Sequence, residues 1–152
     1  WCEAMDLEGV VFEALQTVDN NRLPIYHTNV MMAIGTGWAA VCLDCVDHDD
    51  DRTLLRESLE ADGLTVILLS EAQINRFAGN MLEVQTRAGD KLIVMSQNAF
   101  DTLSEDQRAT LGQFGTLVHN DLNTIETCGG GSARCMMAEI HLPRTEEASA
   151  DS

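Results

Sequence analysis

Near the C-terminus, Cys128-Gly-Gly-Gly-Ser-Ala-Arg-Cys135 sets a thiol directly behind three consecutive glycines. Glycine takes positive φ without steric cost and lets a backbone pass close to a ligand. A thiol delivered by such a loop, with the Arg134 cation beside it to favour the thiolate, is equipped to attack an electrophilic carbon and form a covalent intermediate. Backbone N–H groups around Gly130 and Gly131 would steady the charge that develops. The apolar run from Met136 to Leu142 predicts that Cys135 opens a buried strand. The plainer alternative is a small buried cysteine beside a structural turn.

The elements that must position this thiol follow from periodicity and turn chemistry. Gly9–Ala14 reads as a short strand, with Asp19–Arg22 as its turn. Leu23–Ile34 reads as one long extended segment carrying Tyr26-His-Thr-Asn-Val-Met-Met32, turned by Gly35-Thr-Gly37, and Trp38–Val46 as the returning strand. Asp49–Asp51 provide an N-cap and acidic first turn for a helix with Leu54, Leu55, Leu59 and Ala61 on its apolar face and Gly63 as its stop. Leu64–Leu69 is a buried strand. Ser70-Glu-Ala-Gln73 is a capping box; Gly79–Val84 and Lys91–Met95 are strands about the turn Arg87–Asp90. Ser104-Glu-Asp-Gln107 caps a helix ending near Gly112, Thr116–His119 is a strand, and Thr124–Thr127 a helical turn leading into the glycines.

Two successive stretches therefore share the order strand, turn, strand, helix, strand. Asn29-Val-Met-Met falls on Asn80-Met-Leu-Glu, 51 residues on, and Arg134-Cys-Met-Met begins a third strand at a similar interval. Self-similarity at a fixed period predicts a repeat architecture, an α/β propeller of ββαβ modules. Equivalent positions of a radial repeat converge on its axis, which groups His27, Asn29, Asn80 and Cys135 in one pocket. The third module stops after one strand, and the chain begins at Trp1. The expectation is a C-terminal part, about half, of a longer ring: residues 1–143 in the propeller domain and 144–152 an acidic disordered tail.

Composition bounds the partners. The chain has 152 residues, 45% apolar content and a net charge of −16, which excludes a basic nucleic-acid face and would draw in a cationic substrate. Lys91 is the only lysine. No apolar run has the length of a membrane span, so the expected location is cytoplasmic. Five cysteines, Cys2, Cys42, Cys45, Cys128 and Cys135, show no disulfide-framework spacing. Cys42-Leu-Asp-Cys45 is formally a CxxC, but with only His48 nearby it lacks the ligands a zinc site needs, and no metal or cofactor is expected.

Tyr26–Met32, Phe77-Ala-Gly-Asn-Met-Leu82 and Gly129-Gly-Gly-Ser-Ala-Arg-Cys-Met-Met-Ala-Glu139 resemble, in order and spacing, motifs of the guanidino-group-modifying, or pentein, superfamily. Within it the chain is similar to amidinotransferase-like proteins related to arginine deiminase, including citrulline-utilisation hydrolases. The resemblance implies a five-module ββαβ propeller, a catalytic histidine at His27, a nucleophile at Cys135, and substrate-gripping carboxylates from N-terminal modules. His-x-Asp in many relatives is His27-Thr-Asn29 here; an amide both donates and accepts hydrogen bonds and suits a ureido group as well as a guanidinium.

The expected reaction is cysteine-dependent hydrolysis of a C–N bond in a citrulline- or arginine-like small molecule through an S-carbamoyl or S-amidino enzyme. Asn29, Asn80, Gly130, Gly131 and Arg134 would contact substrate. Amidino transfer, with an amine replacing water, is the alternative within enzymes. A non-catalytic partial ring that self-associates through open module edges is the alternative outside them. For single residues, Asn80 reads equally as a turn amide, Arg134 as a partner of Glu139, and His27 as a hydrogen-bonded core histidine. His48, His119 and His141 read as structural, and the methionine pairs 31–32 and 136–137 as core.

Overall fold

The computed structural model describes residues 2–138. Asp19 and Asn20 both take left-handed backbone, φ 49° and 62°, the conformation of a two-residue turn whose twist matches paired strands. They close an antiparallel hairpin of β1 (Leu15–Val18) and β2 (Asn21–Pro24). The first strand therefore starts at Leu15, not within 9–14, because the turn fixes the register with Val18 opposite Asn21. Leu23–Ile34 is not one extended segment either. Past Pro24 the pairing ends with the Ile25 N–H on the Ala14 carbonyl, and a 3-10 turn follows at Thr28–Val30.

Two copies of one module come next. In the first, β3 (Met32–Gly35) pairs antiparallel with β4 (Trp38–Val41), and β4 pairs parallel with β5 (Thr65–Leu68). A parallel pair needs a crossover, and α1 (Asp49–Ala61) supplies it. β4 is buried at every position and is the middle strand, as a fully apolar Trp-Ala-Ala-Val should be. It ends at Val41, and Leu43–Cys45 form a 3-10 turn in place of the expected strand to Val46. The N-cap of α1 is His48; Asp49, Asp50 and Asp51 form the first turn, where negative charge complements the helix dipole. Leu55 and Leu59 face the core, whereas Leu54 is exposed.

After α2 (Glu71–Ile74) the second module repeats the arrangement. β6 (Leu82–Gln85) pairs antiparallel with β7 (Lys91–Ser96), and β7 pairs parallel with β8 (Thr116–Asn120). Its crossover is two short helices, α3 (Gln97–Thr102) and α4 (Glu105–Leu111). The strand expected at Gly79–Val84 starts only at Leu82, for residues 77–80 are used in a turn closed by the Asn80 N–H on the Phe77 carbonyl. Last come α5 (Asn123–Gly129) and a 3-10 turn at Arg134–Met136. Cys135 is thus exposed on a turn, not buried at the start of a strand. Met136 is exposed as well, so that methionine pair is not core. The remainder of the expected strand, His141, Glu139 and the tail lie outside the described residues.

One core joins the modules, with Met31, Trp38, Met81, Ile93, Met95 and Leu111 fully buried. Three polar devices lock them together. Glu83 on β6 reaches across to the β3–β4 turn, accepting from the Thr36 N–H at 3.0 Å, the Thr36 hydroxyl at 2.7 Å and the Trp38 indole at 2.9 Å, with Lys91 at 3.5 Å. Burial pushes its carboxyl up, but those donors outweigh it and hold Glu83 below the usual carboxylate range. Both predicted capping boxes form, and they interlock. Gln73 Nε2 donates to Gln107 Oε1 at 2.7 Å and to the Thr102 carbonyl at 2.8 Å, while Gln107 Nε2 donates to the Leu68 carbonyl at 2.6 Å. Finally, Gly79 lies against the backbone of the 3-10 turn: a methyl group there would sit 2.4 Å from the Val30 carbonyl oxygen.

Candidate active site

The Gly79 contact brings two of the sequence motifs together, and the third closes over them. The 3-10 turn at Thr28–Val30 begins from His27, whose Nδ1 accepts the Asn29 N–H at 3.4 Å. Phe77, a non-glycine residue, is held at φ 65°, a conformation that persists only where surrounding contacts impose it. Beyond α5 the chain turns at Gly130, φ 69°. These three irregular stretches enclose a cavity of about 240 Å³. Asn29 and Val30 come from the first, Asn75, Phe77 and Asn80 from the second, and Gly130, Gly131 and Cys135 from the third. Gln16 and Tyr26 add a wall from the hairpin and the chain leaving it.

Asn80 is the joint of the site. It is only 5% exposed, so each of its polar atoms requires a partner. Its Oδ1 accepts the Arg134 backbone N–H at 3.0 Å; its Nδ2 donates to Cys135 Sγ at 3.3 Å and to the Asn29 carbonyl at 3.4 Å. One amide therefore ties the equivalent positions 29 and 80 of the two modules to the cysteine loop. The amide thus fixes where the sulfur stands at the wall of the cavity. Gly131 packs on the same thiol: a methyl group there would lie 3.0 Å from Cys135 Cβ and 3.2 Å from Sγ.

The loop is anchored from behind by a carboxyl group. Glu126 on α5 accepts from the Ser132 hydroxyl and from Asn98 Nδ2, each at 2.6 Å. Ser132 is fully buried and its carbonyl accepts the Cys135 N–H at 3.1 Å.

Of the residues singled out in the sequence, the cavity gathers Cys135, Asn29, Asn80, Gly130 and Gly131. His27 is exposed and is not a wall, although its neighbours Tyr26 and Asn29 are. It is an N-cap, not a core histidine on a strand, because its ring is used to start the turn. Arg134 enters through its backbone N–H alone; among the described residues no carboxylate pairs with its guanidinium. Asn80 has a structural task that the sequence did not distinguish from substrate contact. Phe77 and Tyr26 were within quoted motifs, but only the backbone geometry shows that they line the cavity. Gln16 and Glu126 had no sequence signal.

Other polar clusters are structural. Arg22 bridges Asp47 and Glu71 and also donates to the Asp44 carbonyl at 3.0 Å; the bond to Asp47, partly opposed by burial and reinforced by Glu71, raises its pKa. This pins the hairpin against the first module. Cys42 and Cys45 are fully buried, and the interaction with Cys42, then burial, pushes the Cys45 thiol up; both pack in the core away from the cavity. His119 stacks on Phe100 at 3.8 Å, with Arg108 4.3 Å from the same ring.

Repeated strand–strand–helix–strand modules, with equivalent positions meeting beside a glycine-loop cysteine, define a member of the pentein superfamily. Residues 1–142 match the family of eukaryotic N,N dimethylarginine dimethylhydrolases, and the chain belongs to that family. Similar solved structures include ArgZ, an arginine dihydrolase from the ornithine–ammonia cycle in cyanobacteria, at 18% identity and a TM-score of 0.54, covering 73% of this chain and 15% of that one. AgrE, in a ternary complex with ornithine and NAD+, is similar at 19% identity and a TM-score of 0.58, covering 88% of this chain and 17% of that one. These likenesses show a shared mixed α/β fold, and the chain spans under a fifth of the length of either structure. No curated protein matches. Among the described residues no helix is long and apolar enough to cross a membrane.

Proposed function

We propose that this chain is the part of a guanidino-group hydrolase that carries its nucleophile, within a propeller completed by further modules. The observation that supports this most directly is the bond from buried Asn80 to Cys135 Sγ, 55 residues away, inside a cavity formed by three family-like motifs. The family match favours arginine or an N-methylated arginine as substrate. The described cavity residues include no carboxylate, so acidic groups to pair with the guanidinium come, in this reading, from the rest of the protein.

In this reading, Cys135 thiolate forms a bond to the central guanidino carbon. The tetrahedral adduct collapses by breaking a C–N bond, and the departing amine takes a proton from His27. The resulting S-amidino enzyme is attacked by water, whose proton passes to His27. Breaking the C–S bond then frees the thiolate and a ureido product. His27 is cationic when it protonates the amine and neutral when it takes the proton of water; its Nδ1 accepts the Asn29 N–H only in the neutral ring. Asn29 and the Gly131 N–H face substrate, the Gly130 N–H being taken by the Glu126 carbonyl, while Asn80 holds the thiol. Replacement of water by an amine would give amidino transfer.

The test is amine and citrulline release from N,N-dimethylarginine and from arginine by the complete protein and its Cys135→Ser variant. Release that falls at least about 10³-fold in the variant is expected. Release from neither substrate, or activity surviving in Cys135→Ser, would overturn the reading.

A further inference from the structure

Helix α5 buries a single side chain, and that side chain is the carboxyl group of Glu126, 6% exposed. Its apolar Ile125 is exposed. A short helix normally docks through apolar residues, and a buried carboxyl group is retained only when fully bonded. Glu126 is bonded on both oxygens, to Ser132 and to Asn98, and Asn98 Oδ1 in turn accepts from Arg76 at 3.4 Å. The relay runs from the second module, through α3 and α5, to the residue whose carbonyl caps Cys135. In front of the same loop, Asn80 holds the Arg134 N–H and the Cys135 sulfur. At the start of the loop, glycines 129 and 130 have nothing within 4 Å of a Cβ, so packing does not fix that end.

We infer that Glu126 is a positioning residue, a latch that through Ser132 keeps the glycine loop where Cys135 meets the Asn80 amide. This rests on the proposed role of Cys135 as nucleophile, but not on any particular substrate. Glu126 itself does not line the cavity. Freed from the latch, the loop keeps its glycine flexibility and the sulfur leaves its donor; displacement of a reacting group by about 1 Å costs on the order of 10²-fold in rate.

The experiment compares the complete protein with Ser132→Ala, Glu126→Ala and Glu126→Gln, each checked for folding by circular dichroism. Iodoacetamide labelling at neutral pH is read by peptide mass for Cys135 and, as an internal reference, for exposed Cys128. Ser132→Ala and Glu126→Ala should slow Cys135 relative to Cys128 by about three- to tenfold, and Glu126→Gln, which keeps an acceptor for Ser132, should recover most of the rate. With a turned-over substrate, kcat should fall on the order of 10²-fold while KM holds. An unchanged or faster Cys135 rate in folded Ser132→Ala overturns the latch, as does a variant that changes KM alone. Should Glu126→Ala fail to fold, Ser132→Ala and Glu126→Gln decide. If the wild-type protein turns over no guanidino compound, the hydrolase reading fails and the labelling arm still tests the latch.

Discussion

Gly130 and Gly131 are adjacent and chemically identical, yet they do different work. Gly130 needs its glycine for backbone conformation, φ 69°, with open space where a side chain would be. Gly131 needs its glycine for proximity, since Cys135 lies within contact of any added carbon. Gly130→Ala should therefore cost about 1–2 kcal/mol of stability with Cys135 reactivity preserved in the folded protein. Gly131→Ala should leave the melting temperature nearly unchanged and depress Cys135 labelling and turnover. Thermal melts and labelling rates on the two variants check this. At this scale the sequence exposed the glycines and the thiol, because their spacing is local. It did not expose the partner of the thiol: nothing near Asn80 in the chain says whether its amide faces substrate or sulfur. It also misplaced Cys135 by reading apolar Met136 as the inside of a strand. Glu126 was invisible for the reason most buried carboxyl groups are, that its partners are 28 residues back and 6 ahead on elements whose packing is not encoded by periodicity.

At the scale of elements, the contact between β6 and the β3–β4 turn concentrates on one carboxylate. Hydrogen bonds to a charged group contribute about 1.5–3 kcal/mol each, and Glu83 collects three beside the Lys91 cation. Its carboxyl is held below the ordinary value, so its stabilisation is complete above the unfolded pKa of about 4.3 and is lost as pH falls through the folded one. Glu83→Gln should be less stable than wild type at pH 7, and the gap should close as pH drops from about 5 to 3. Melting temperatures of both proteins across that range measure it; a constant gap would show that the charge of Glu83 is not what joins these elements. Trp38 belongs to this argument as well. Its ring covers Gly35 so closely that a methyl group there would lie 2.2 Å from Nε1, and its N–H has Glu83 as partner. The apolar run after the Gly35–Gly37 turn suggested a long strand through this tryptophan to Val46; the 3-10 turn at Leu43–Cys45 cuts it short while the run stays buried.

At the scale of the molecule, the repeat was the most readable feature. Two modules with the same pairing, antiparallel then parallel, emerge from self-similar sequence because each must solve the same crossover problem with the same order of elements. What periodicity could not supply was how the modules lean on each other. That is decided by single side chains: Gly79 against Val30, Glu83 against Thr36, and two glutamines whose boxes were each predicted but whose meeting was not. The boxes have a consequence for how the protein opens. In each, the glutamine satisfies the start of its own helix and reaches into the other module. Separating the modules therefore breaks the cross-module bonds of both boxes at once and frees the two helix starts together. The backbone amides of Gln73 and Gln107 should accordingly exchange with deuterium at rates set by one shared opening event, and Gln107→Ala should accelerate Gln73 as much as its own module. Exchange at two independent rates would mean that the halves breathe separately. A single rate means that the floor of the cavity, built from both, is either whole or absent.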